Sequence, residues 1–221
     1  MIYHPFFYEL NLGILIPIMK LSEIKAQKIL TLWFGEETTD WPRPVVSKRW
    51  FMGGKPFDDL IRTHFSGIIQ QLLSEPVDFE QQTAIQNLAS IIVLDQFTRN
   101  IFRGGDGAFS GDNKALNIAK YMVSSKQYLN LKLYQRIFVY MPFEHSENNV
   151  DQRRCIRLFN ELIQAAEGPF ADKVNGFARY ALEHADIIEQ FGRFPHRNKI
   201  LQRESTVEEI HYLQQGKTFG Q

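Results

Sequence analysis

The sequence predicts an all-α fold, a single domain of antiparallel helices joined by short loops, and three observations carry that reading. Apolar residues recur at three- and four-residue spacing through most of the chain, the mark of one buried helix face. Alternating strands bounded by hairpin turns are absent. Helix-start chemistry stands ahead of the first and last segments: Ser22 is a good N-cap, and Ser205 and Thr206 each have a Glu three positions on.

The elements follow in order. Residues 1–20 precede the regular pattern and lack a basic n-region and a cleavage site. Their longest apolar run, 12–19, is broken by Gly13 and Pro17, and a bilayer span needs about 20 residues. Two readings of 1–18 stand: an extension upstream of a true start at Met19, or an arm packed on the surface. The helical domain covers 21–215, and 216–221 form a tail. Its first helix runs from Ser22 through Trp33. Phe57, Ile61, Phe65, Ile68 and Leu72 mark a long second one, and Ala84, Leu88, Ile91 and Ile92 a third. Further helices are expected over 113–124, 131–140, 146–166 and 171–190, with a last one starting near Ser205. The longest irregular stretches are 35–44 and 103–112.

Composition narrows the function classes. A chain of 221 residues, 44% hydrophobic and 23% charged, fits one globular domain, and 18 phenylalanines predict a core built on rings. Lys+Arg and Asp+Glu are both 25, so no overall basic field draws in nucleic acid or an anionic membrane. The single cysteine, Cys155, excludes an internal disulfide and a Cys-x-x-Cys zinc site, which fits a reducing cytoplasm. Nucleotide-loop, zinc-protease and nucleophile-elbow motifs are absent, and no 34-residue repeat is readable. No cofactor or metal is expected.

Charge interrupts two of the buried stripes. Continuing the stripe of Ala84, Leu88, Ile91 and Ile92 leads to Asp95 and Arg99, an i,i+4 pair, with Arg103 at its edge. In the helix expected after Pro142, Cys155, Leu158 and Leu162 trace back to Asp151, Glu147 and Glu144. Lone inward charges cost several kcal/mol, so these ends are expected to meet. The layer they form is either a packing network or the lining of a cleft.

Three segments carry a resemblance: LDQFTRNIFRG at 94–104, YMPFEHSE at 140–147, and FGRFPHRN at 191–198 with EST at 204–206. With LWFG at 32–35 and Trp50-Phe51, they resemble the bacterial domain-of-unknown-function 924 family over about residues 21–215. That resemblance implies a helical fold like the tetratricopeptide-repeat superfamily and brings no established reaction. Thr98 stands where the family usually has Pro, and residues 1–18 have no counterpart.

Arginine forks, amides and imidazoles suit a phosphate or carboxylate ligand. Asp95, Arg99, Asn100, Arg103, Glu147, Arg193, Arg197 and Asn198 are therefore the candidate binding set. Glu144, His145 and His196 are the candidate acid–base groups. A metal is not expected, because His145 does not share a helix face with Glu144 and a second such motif is missing. The alternative for Glu144 is that Pro142-Phe143-Glu144 opens a helix, with the acid against its dipole. Three functions follow: a scaffold binding a small anionic molecule or peptide, a hydrolase or transferase acting on such a molecule, or a purely structural cluster.

Overall fold

Ser22 accepts a hydrogen bond from the Lys25 amide and opens α1 (Glu23–Phe34), whose buried face is Ala26, Ile29, Leu30, Trp33 and Phe34. The computed structural model describes residues 7–9, 15–36 and 41–215, with side chains over 18–36 and 41–214. Two short helices, α2 (Pro44–Ser47) and α3 (Arg49–Met52), bring Trp50 to that face. There its indole donates to the Trp33 carbonyl at 2.8 Å. Trp33 and Trp50 stack at a centroid distance of 6.5 Å and both meet Phe138 edge-on at 5.7 and 4.8 Å, so the ring core expected from composition is built here.

The long α4 (Gly54–Ser74) follows, and Thr83 shares a capping box with Gln86 to open α5 (Ala84–Ile91). This helix runs on through a π-helical stretch, Ile92–Phe97, into α6 (Thr98–Ile101). After a 3-10 turn at Asp106–Phe109 come α7 (Asp112–Ser124), α8 (Leu133–Glu144), α9 (Asn149–Ala165) and α10 (Gly168–Phe191). Another 3-10 turn, Pro195–Arg197, leads to α11 (Val207–Gln215). The fold class is all-α, as predicted. No described helix is long and apolar enough to cross a membrane.

Three features differ from the sequence reading. Phe7–Glu9 and Leu15–Pro17 pair as antiparallel strands β1 and β2, three residues each. Segments so short carry no readable alternation. The tail 216–221 lies outside the described residues.

The helix holding Asp95 is not amphipathic with a charged end: every residue from 86 to 101 is buried. It is the central helix, and its polar side chains are satisfied inside. Asn87 bonds the Phe79 carbonyl and Gln127, Thr98 bonds the Leu94 carbonyl, and Asn100 bonds Asp58.

Finally, Pro142 and Glu144 belong to the last turn of α8 rather than opening a helix. Asn148 is the N-cap of α9, accepting from the Val150 amide, so the stripe of α9 cannot be extrapolated back to Glu144 and Glu147. An N-cap residue has non-helical backbone angles and resets the phase.

Gly111 seats α7 on the central helix. A Cβ there would overlap the Leu94 carbonyl oxygen and lie 2.8 Å from its carbon, although the glycine's φ of −95° suits any residue. Gly111→Ala is expected to lose about 1–3 kcal/mol in urea denaturation, the usual cost of overpacking. Unchanged stability would contradict this seating.

Candidate functional site

The C-terminal end of the central helix, α8, α10 and the Pro195–Arg197 turn surround a cavity of about 120 Å³ that opens to solvent. Trp50, Phe51, Phe109 and Met141 form its apolar walls. Gln96 and Asn100, the cations Arg99, Arg103 and Arg197, and the imidazoles His145, His184 and His196 complete it.

Arg99 is the anchor. Its guanidinium makes a bidentate pair with Asp112 at 2.8 and 3.0 Å, reaches the Asp95 carboxylate at 3.1 Å and bonds the Asp95 carbonyl at 2.6 Å. Burial alone would lower its pKa, but Asp112 and Asp95 outweigh that and raise it. Asp95 is fully buried. Burial would raise its pKa, but His145, Arg99 and a 2.6 Å bond from Gln96 hold it well below the usual carboxylate range.

His145 Nδ1 lies 2.7 Å from Asp95 Oδ1. Burial and Arg99 lower the imidazole pKa against the pull of Asp95, so the ring is neutral near pH 7. An ionised carboxylate only accepts, so Nδ1 carries the proton and Nε2 keeps a lone pair.

Arg197 is held differently. Its guanidinium is sandwiched between the Phe109 and Phe194 rings, at 4.6 and 4.4 Å from their centroids. Its acid partner is Asp112 at 3.4 Å, a carboxylate already doubly bonded by Arg99, and its buried Nε has no hydrogen-bond partner. Burial pushes its pKa down to about 10. Arg103, with its side chain 46% exposed, approaches Asp58 at 3.5 Å.

Glu144 lies behind the wall rather than on it. Burial first, and then Asp95, raise its carboxyl to about 8. Its place in the last turn of α8, at the negative end of the helix dipole, acts in the same direction. One oxygen is 3.3 Å from His184 Nδ1, which also donates to the Tyr180 carbonyl at 2.8 Å; the other has no partner. Burial lowers His184 to about 3 and His196 to about 4.

The other predicted residues form a clasp outside the cavity lining. Glu147 pairs with Arg203 at 2.6 and 3.0 Å and accepts from the Phe194 amide at 2.8 Å. Arg193 takes Glu209 at 2.7 and 2.8 Å, not the acids of α8, and Asn198 bonds Ser205 and Glu209.

Sequence reasoning missed Asp112, Gln96, His184, Phe109, Arg203 and Glu209. The signal existed for His184, which continues the buried stripe of Val174, Ala181 and Ile188 along α10. Asp112 reads as an ordinary acid in a helix's first turn. For Gln96 no signal existed, because the π-helical stretch shifts the phase.

Fold and site define a helical domain whose buried charge layer opens on one small polar cavity. Over residues 29–217 the chain matches a family described as bacterial protein of unknown function, domain of unknown function 924. The chain belongs to that family. A solved structure of a protein of unknown function from Agrobacterium tumefaciens, ATU0120, is similar at 32% identity, with a TM-score of 0.68. The match covers 86% of this chain and 97% of that one. No match was found among curated proteins.

Glu144 should leave a pH signature. Its pKa rises from 4.5 to about 8 on folding, so between those values the native state binds more protons than the unfolded one. Its contribution is therefore fully present below pH 4.5 and is lost as pH rises through about 8. In calorimetric scans, Glu144→Gln is expected to flatten the fall in Tm across that window. Parallel Tm profiles for the two proteins would show that Glu144 ionises normally.

Proposed function

We propose that the chain binds a small anionic molecule, a carboxylate or a phosphate, in this cavity. The observation that carries the reading is Arg197. A buried cation with incomplete pairing costs several kcal/mol, and the acid beside it is already occupied by Arg99. An anion entering the cavity would meet Arg197 and the half-exposed Arg103, and would supply the missing partner.

Scale favours a small molecule over a peptide. One water takes about 10–15 Å³ of such volume, so 120 Å³ holds an anion of several heavy atoms. The apolar walls of Trp50, Phe51, Phe109 and Met141 lower the local dielectric and so strengthen charge pairing. The purely structural reading suits the clasp of Glu147, Arg193 and Asn198, whose charges are mutually paired. A reducing cytoplasm is the compartment that fits a lone buried thiol, Cys155.

Thermal shift tests the proposal. Inorganic phosphate, acetate and succinate are screened against the wild type and Arg197→Gln. At least one anion should raise the wild-type Tm by several degrees, since each kcal/mol of binding linkage moves Tm by about 2–4 °C at this size. The folded Arg197→Gln variant should lose that shift. No shift in the wild type, or one that survives in the variant, would count against the site.

A further inference from the structure

The cavity wall carries proton acceptors as well as cations. Gln96 commits its amide nitrogen to Asp95 at 2.6 Å and to the Met141 sulfur at 3.7 Å, which leaves its carbonyl oxygen for the cavity. Asn100 commits its nitrogen to Asp58 at 2.7 Å. His145 commits Nδ1 to Asp95, so its Nε2 lone pair is the group it can offer a ligand. An anion without donor groups would leave these acceptors unsatisfied. A ligand bearing both an anionic group and a hydroxyl satisfies the acceptors and the arginines together.

His145 is bonded to an ionised carboxylate, Asp95, whereas the carboxyl beside His184 is the protonated Glu144. Asp95 is itself fixed by Arg99 and Gln96, so the dyad is rigid before any ligand arrives. That is the arrangement in which an imidazole acceptor is oriented by a third group.

We propose that His145, positioned by Asp95, selects the ligand: its Nε2 accepts a hydrogen bond from the hydroxyl of a small hydroxycarboxylate, or of a phosphate bearing one, held in the cavity by the arginines. This role does not involve Glu144, which is absent from the cavity wall, and it rests on the anion-binding reading above.

Two measurements on the full chain test it. Long-range proton–nitrogen NMR of the histidine rings should show His145 as the Nδ1–H tautomer near pH 7. Asp95→Asn should switch it to Nε2–H, because an amide can donate to Nδ1. Calorimetric titration should show glycolate binding at least about tenfold more tightly than acetate, which lacks the hydroxyl, and His145→Phe should abolish that preference. An Nε2–H tautomer in the wild type, or equal affinity for glycolate and acetate, overturns the hydroxyl-recognition role while leaving anion binding intact. If the tautomer is as expected but no anion binds, the anion-binding reading fails, and the proposal with it.

Discussion

Arg99 sets the terms for everything around it. Its guanidinium joins Asp95 on its own helix to Asp112 at the head of α7, so one buried cation ties the central helix to the next. Such a group cannot stay buried unless acids come to it, and acids cannot stay buried without it. The consequences run outward: ionised Asp95 fixes the proton of His145 on Nδ1, and occupied Asp112 leaves Arg197 under-compensated. The polar character of the cavity wall follows from those two facts.

The charge layer divides into parts with different jobs. Around Phe194, the pairs Glu147–Arg203 and Arg193–Glu209 close on one another and hold the segment carrying the Pro195–Arg197 turn. That clasp positions Phe194 as one face of the Arg197 sandwich, while Phe109, from the turn before α7, supplies the other. Packing therefore prepares the site: rings restrict where the Arg197 guanidinium can point, and the lost rotamer freedom is spent in folding rather than in binding. Gly111 belongs to the same design, since it lets α7 approach closely enough to deliver Asp112.

Much of the fold was legible because helix periodicity and capping are local. Ser22, the stripe of α1 and the ends of most helices could be read without any tertiary information. The site was legible in outline, since charges on inward stripes are rare, and Asp95 and Arg99 do pair. Its details were not, for physical reasons. Burial of the central helix on all sides is a property of its neighbours, and the π-helical stretch breaks the phase by which Gln96 could have been placed. The Asn148 cap reset the register that seemed to join Glu144 to α9. Which arginine meets which acid depends on loop paths, so Arg193 went to Glu209 and Glu147 to Arg203.

Arg99 is fully paired within the protein and Arg197 is not. Double-mutant cycles sharing Asp112→Asn measure this directly, with Arg99→Gln in one cycle and Arg197→Gln in the other, read by urea denaturation without ligand. A coupling of at least about 2 kcal/mol is expected for Arg99–Asp112 and one below about 1 kcal/mol for Arg197–Asp112. Equal, large couplings would mean that Asp112 already satisfies both arginines, and would contradict that pairing.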